Sequence, residues 1–264
     1  QLVLMLQYAE RRRLAPIAGV ELVLISGARW LRERTPALRR LFPRARIVEF
    51  YGASEASYIA WMDADPAAPA QAVGRAFSNV DLHIGEHPEA PALPAGQPGL
   101  IWVRSPMLFM DYVNQADATA ALRVGDWLSV RDMGHLDASG LLHLCGRENR
   151  MLVTQGKNLF PEEVEQRLLA HPAVAKASRR GAFDELRGSS VHAVMQWQGD
   201  APAGAQQLAA WCREALEPFK TPRHWWLWKG DWPQTASGKT DHGAIARALA
   251  DTPVGASPLL EPWP

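Results

Sequence analysis

Cysteine is scarce in this sequence, with only Cys145 and Cys212 among 264 residues. Two thiols make no disulfide framework. One lies in an alternating, strand-like run and the other on an apolar helical face, so a reducing, cytoplasmic setting is expected. Charge of one sign is also missing: 28 Lys and Arg stand against 28 Asp and Glu, a formal net charge of zero. No field exists to hold a polyanion or an anionic membrane, which argues against dedicated nucleic-acid binding. No run of 18 apolar residues occurs, and Gln1 to Tyr8 is too short for a signal peptide and lacks its basic leader. Neither a membrane span nor secretion by that route is expected. What is plentiful is core material, with 47% hydrophobic residues, 11 Trp and only 21% charged. That is an ordinary folded composition, long enough for one large domain or two ordinary ones.

The pattern along the chain predicts two textures. Val20 to Ile25 is a near-continuous apolar run ending at Ser26-Gly27, as in a strand buried on both faces of a parallel sheet. Ala37, Leu38, Leu41 and Phe42 then space a helix that Pro43 stops, and Ile47 to Phe50 is the next strand, so the opening reads β-α-β. Ligands of open α/β sheets gather at strand C-terminal ends, which marks Tyr51 to Glu55 on topology alone. A Pro-rich loop between Gly85 and Gly99 precedes an alternating strand, Leu100 to Val103. From about residue 147 the texture becomes a small α+β domain. Pro161 opens a helix with Glu162 and Glu163 in its first turn, and Ser190 to Trp197 is strand-like. Leu208, Trp211, Cys212, Ala215 and Leu216 form a one-sided helix that Pro218 closes. Arg223 to Trp228 is an aromatic strand, Pro233 to Gly238 a loop, and Ile245 and Leu249 mark a last helix before a Pro-rich tail. The chain begins with Gln and enters an apolar run without a cap, so it is expected to be a piece of something longer.

Several residues could carry chemistry. Tyr51-Gly52-Ala53-Ser54-Glu55 puts a hydroxyl and a carboxylate just after a strand, oxygen ligands of the kind that hard cations accompanying phosphates take; without context it is a plain turn. Asp132 and Arg147 are 15 residues apart, a separation that lets a hairpin reunite them. A carboxylate accepts from paired ribose hydroxyls and a guanidinium adds a fork of donors, though a surface salt bridge would use the same residues. Lys239, one of five lysines, ends the loop from Pro233, and its ammonium could neutralise a carboxylate and a phosphate at once. His143 and Cys145 share a strand face, but two ligands do not make a metal site. No strand-turn Gly-x-Ser-x-Gly supports a serine hydrolase.

Five stretches taken in order resemble the adenylate-forming superfamily of acyl-CoA and aryl-CoA synthetases, luciferases and peptide-synthetase adenylation domains. They are Ile25 to Ala28, Tyr51 to Glu55, Trp127 to Gly146 running into Arg147-Glu148-Asn149, Gly156 through Pro161 to Glu165, and Pro233 to Lys239. The resemblance implies an α/β fold: residues 1–146 as the C-terminal part of the large AMP-binding domain, a parallel sheet with a small β subdomain. A hinge at 147–149, a small mobile α+β domain at 150–251 and a Pro-rich tail at 252–264 would follow. It implies that Glu55 helps hold Mg²⁺, that Ser54 stands at the phosphates, and that Gly27, Ala28 and Tyr51, with Gly52, border the nucleotide. Asp132 and Arg147 would grip the ribose, Asn149 would be the hinge residue, Gly156 would line the path of coenzyme A, and Lys239 would be the lysine that adenylation requires.

The implied reaction is ATP-dependent activation of a small-molecule carboxylic acid through an acyl adenylate, then thioester formation with coenzyme A. A peptide-synthetase adenylation domain is the near alternative, and a non-catalytic binding module or truncated product the distant one. Three departures stand out. Val130-Arg131 replaces the usual Thr-Gly before the aspartate, and Thr240-Asp241-His242 replaces an apolar-x-Arg sequence after the lysine. The Gly-rich, Ser/Thr-rich phosphate loop of the family is nowhere in this sequence, and its backbone donors would belong to a missing N-terminal half.

Overall fold

The computed structural model describes residues 2–27, 30–154, 157–184, 188–199, 204–236, 238–250 and 259–263. The chain divides into two units, Gln1–Glu148 and Asn149–Pro264.

In the first unit, α1 (Leu2–Arg12), β1 (Leu22–Ile25), α2 (Thr35–Leu41) and β2 (Arg46–Ala53) supply the β-α-β opening. Pro36 sits in the first turn of α2, where its missing N–H costs nothing. β1 and β2 run parallel, with Leu22 facing Arg46 and Ile25 facing Glu49. Val23, Ile25 and Ile47 pack with Leu6, Leu38 and Leu41. Within this chain β1 is the last strand of its sheet, and Leu22 and Leu24 are 52% and 56% exposed, leaving an apolar edge and face open. Only the face carrying Val23 and Ile25 is covered.

The parallel part of this sheet ends with that pair. β3 (Ser57–Asp63), β4 (Ala72–Ala76), β5 (Asp81–Gly85) and β6 (Gly99–Arg104) come next, then α3 (Ala116–Ala120), β7 (Arg123–Val124), β8 (Trp127–Leu128), β9 (Asp132–Leu136) and β10 (Leu142–Arg147). The order is β1-β2-β3-β4-β10-β9-β6-β8-β7, with β5 also on β6, and every pairing after β1–β2 is antiparallel. Ile59, Ile101, Val103, Leu128 and Leu142 form its core. Antiparallel neighbours bring residues distant in sequence side by side, and the candidate site depends on that.

The second unit opens with a hairpin of β11 (Leu152–Thr154) and β12 (Lys157–Leu159) and continues with α4 (Pro161–Leu169). A four-stranded sheet follows from β13 (Val174–Asp184), β14 (Gly188–Trp197), β15 (His224–Trp228) and β16 (Leu260–Pro262), in that order, with β14 and β15 parallel. α5 (Ala205–Arg213) and α6 (His242–Ala250) complete it. Ala193 and Met195 pack on Val164, Leu168, Leu208 and Cys212. Val194, between them in sequence, packs with Trp228, Trp232 and Ile245. The sheet thus carries a core on each face, as its period of two requires. The described part of the expected tail adds β16 to this sheet, with Leu260 buried. Among the described residues no helix is long and apolar enough to cross a membrane.

Candidate active site

The turn between β2 and β3 is built around a close approach. A Cβ on Gly52 would lie 2.1 Å from the carbonyl oxygen of Ser57, so only glycine fits. The register shifts between Tyr51 and Gly52, and Ser57 sits at φ 56°. This irregular hairpin holds Ser54 exposed at its tip and Glu55 half-buried. Glu55 Oε1 accepts the Tyr112 hydroxyl at 2.6 Å, and its backbone carbonyl accepts the Phe109 N–H at 2.8 Å. Gly27, just beyond the end of β1, takes φ +84°.

Tyr51 donates its hydroxyl to Asp132 Oδ2 at 2.6 Å. Arg147 Nε meets Asp132 Oδ1 at the same distance, because β9 and β10 place Asp132 and Arg147 opposite one another. The aspartate side chain is 9% exposed and the arginine 54%. Burial pushes the Asp132 carboxyl above the usual carboxylate range, against the pull of Tyr51 and Arg147. Burial first, and then the neighbouring Asp132 charge, hold the Tyr51 hydroxyl well above its ordinary value, so it stays a donor. Each Asp132 oxygen keeps a second lone pair for a ligand hydroxyl.

Arg131, which precedes the aspartate, adopts φ 64°. This left-handed position explains why glycine suits it. Here the arginine is retained with help from its surroundings: its N–H reaches Ser129 Oγ at 3.1 Å, and its guanidinium meets Glu148 at 2.6 Å.

In the second unit Lys239 is exposed at the end of a tight loop. The Thr235 N–H donates to the Lys239 carbonyl at 2.8 Å, the Lys239 N–H to Thr235 Oγ1 at 3.3 Å, and Gly238 takes φ +78°. Trp232 Nε1 donates to Thr240 Oγ1 at 3.1 Å and anchors the loop to a buried ring. Asn149 is the first residue of this unit.

The structure joins Tyr51, Asp132 and Arg147 directly, and sets Glu55 near enough for its charge to act on Asp132. Ala28 and Gly156, along with Ser237 of the lysine loop, lie outside the described residues. Tyr112 was missed in the sequence: it lies 57 residues from Glu55, and its surroundings carry no motif. His143 Nε2 donates to Asp137 Oδ2 at 3.1 Å and the ring stacks on His135, a structural arrangement.

Two family models match the chain, AMP-binding enzyme over residues 2–113 and AMP-binding enzyme C-terminal domain over residues 163–239. An uncharacterized acyl-CoA ligase of Bacillus subtilis (strain 168) is 35% identical over 231 residues, 87% of this chain and 46% of that protein. The o-succinylbenzoate coenzyme A synthetase of Bacillus subtilis, solved with its acyl-adenylate intermediate, is 25% identical with a TM-score of 0.79, over 94% of this chain and 50% of that one. An amide bond synthetase from Marinactinospora thermotolerans is 28% identical with a TM-score of 0.76, over 94% and 55%. The chain spans about half the length of the proteins it matches. Two matched models in the family's order, on a fold that superposes over nearly all of this chain, show that it belongs to the adenylate-forming family of AMP-binding enzymes, which includes the acyl-CoA ligases.

Proposed function

We propose that this chain carries the ribose-gripping, metal-holding and lysine-bearing share of an AMP-forming acid–thiol ligase. A substrate carboxylate attacks the α-phosphate of ATP, the bond to pyrophosphate breaks, and the thiol of coenzyme A then displaces AMP from the acyl adenylate. The observation that carries the reading is Asp132 held between Tyr51 and Arg147. A buried carboxylate with both oxygens oriented and lone pairs to spare suits the paired hydroxyls of a ribose, and the half-exposed Arg147 adds donors beside them.

Glu55 fits a magnesium ion. Magnesium binds through one or two carboxylates and leaves its remaining positions to water and phosphate oxygens, so a single carboxylate fixed by Tyr112 through one oxygen suffices. When bound, the ion offsets charge on the phosphates of ATP. The o-succinylbenzoate synthetase has been solved with ATP and a magnesium ion, which supports this assignment. Lys239, on a loop pinned at Thr235, meets the charge that builds at phosphorus. Asn149 would serve as the hinge between units, and Gly156 would border the pantetheine path.

Pyrophosphate exchange tests the reading in a fusion of this chain behind the N-terminal portion of the Bacillus acyl-CoA ligase that it does not span. Exchange that depends on a carboxylic acid is expected, and Lys239→Ala should lower it on the order of 100- to 1000-fold, the loss typical of one preorganised electrostatic partner. A loss below about tenfold would refute the role of Lys239. Supplying coenzyme A or an amine as acceptor separates thioester from amide formation.

A further inference from the structure

The second unit contains a cavity of about 320 Å³ that the reaction above does not use. Asn149, Arg150, Ser178, Arg179, His242 and Gly243 contribute to its wall. Leu152, Pro161 and Ile245 complete it, so its donors stand among apolar side chains. Arg179 on β13 is 3% exposed, yet Nε, Nη1 and Nη2 of its guanidinium find no acceptor among the described residues. A buried charge left so is costly, and it gains most from any anion that reaches it.

Two carboxylates lie nearby, and one oxygen of Glu162, Oε2, is buried without a hydrogen bond among the described residues. Glu165 and Glu162 attract Arg179 at a distance. Glu165 Oε1, however, accepts from Arg150 at 2.5 Å and from the Arg179 backbone N–H at 2.8 Å, and Glu162 Oε1 accepts from Arg150 at 2.7 Å. His242 opens α6, and Ser178 Oγ lies 2.9 Å and Arg150 Nη2 3.4 Å from its Nδ1. Two donors aimed at Nδ1 place the ring proton on Nε2 and make that nitrogen a donor too. Gly243, the second residue of α6, brings the positive end of the helix to the same space, although Asp241 Oδ1 already takes the Ala244 N–H.

We propose that this cavity is an anion site for a tetrahedral phosphoryl group, with Arg179 as its principal ligand. Arg179 lines the cavity while its guanidinium nitrogens are enclosed, so binding requires the outer side-chain torsions to turn them toward the anion. The volume sits at the lower end of the range for small-molecule pockets, so it suits inorganic phosphate or pyrophosphate. An anion there bridges Asn149 and Arg150, where the unit begins, to β13 and α6. The site does not depend on the activity proposed above.

Thermal unfolding and calorimetric titration of the full chain test it, with phosphate and pyrophosphate compared against chloride at equal ionic strength. Phosphate or pyrophosphate is expected to raise the unfolding temperature saturably, by mass action on the folded state, while chloride does not. Whichever anion binds more tightly names the source. Arg179→Met should weaken the affinity at least tenfold and raise the unfolding temperature of the anion-free protein, since it removes a buried guanidinium whose nitrogens make no hydrogen bond among the described residues. Ser178→Ala, a smaller change that frees the His242 ring, should weaken binding severalfold with the fold intact. If neither anion shifts unfolding, or if Arg179→Met keeps wild-type affinity, the proposal is overturned.

Discussion

Asp132 and Arg147 face each other across the β9–β10 pair and close at 2.6 Å, with the carboxylate buried and the guanidinium half in solvent. Removing the acid leaves Tyr51 and Arg147 without their common acceptor. Asp132→Ala is therefore expected to weaken ATP and AMP binding alike, on the order of 10- to 100-fold, because ribose is common to both and charge-assisted bonds are worth roughly 1.5–3 kcal/mol. Glu55→Ala should weaken ATP in a manner that varies with magnesium concentration and leave AMP nearly untouched. Calorimetric titration of the two variants, in the ligase fusion described above, separates the roles. Unchanged AMP affinity in Asp132→Ala would remove the ribose assignment.

The hairpin that delivers Tyr51 depends on Gly52. A Cβ there would collide with the Ser57 carbonyl at 2.1 Å, a backbone group with little freedom to yield. Gly52→Ala should cost about 2 kcal/mol or more, in the range of overpacked sites. Urea unfolding followed by Trp fluorescence would register it as a lower midpoint with an unchanged slope. A wild-type midpoint would mean that the turn relaxes freely.

The parts legible in the sequence were those set by local order. The β-α-β opening, the Pro161 helix, the helix carrying Leu208 and Cys212 and the 15-residue spacing of Asp132 and Arg147 all follow from periodicity or from the reach of a hairpin, although the helix at Leu208 ends at Arg213, short of the expected Ala215 and Leu216. What stayed hidden depends on neighbours far along the chain. Tyr51 meets Asp132 across 81 residues and Tyr112 meets Glu55 across 57, with no spacing rule to predict either. The apolar run Val20 to Ile25 gave the strand, and within this chain its Leu22 and Leu24 face stays open. Arg179 offered no signal: β13 runs past it without a break, and its burial is fixed by the helices packed on that sheet.

Acid should loosen the second unit well before ordinary carboxylates titrate. His242 and His192 are both held down to about 4 from an ordinary 6.5, first by burial and then by Arg150 and His224 respectively. Between those values the unfolded chain binds protons that the folded chain refuses, so stability is full above about pH 6.5 and falls as pH drops toward 4. From these two rings unfolding in that window should take up as many as two protons, fewer to the extent that solvent reaches His242, whose side chain is 35% exposed. His171, also held down by burial, adds to the uptake. Urea midpoints across the range measure the slope. His242→Gln should flatten it by up to one proton, and an unchanged slope would show that the ring already titrates normally.

Arg131 allows the backbone to be separated from the charge. Its φ of 64° costs any residue with a Cβ roughly 1 kcal/mol, whereas glycine adopts it freely. Its pairing with Glu148 at 2.6 Å joins side chains that are 48% and 34% exposed, and such pairs contribute about 0–1 kcal/mol. Arg131→Ala and Arg131→Gly lose that pair equally. Elsewhere in a strand or helix alanine would be the more stable of the two; here Arg131→Gly should exceed Arg131→Ala by about 1 kcal/mol, because relief of the left-handed strain outweighs the extra freedom of the unfolded chain. Equilibrium unfolding of both variants at one pH decides it. Should alanine equal or surpass glycine, the turn before Asp132 would not be held in the left-handed region, and the reason offered for glycine at this position would fall with it.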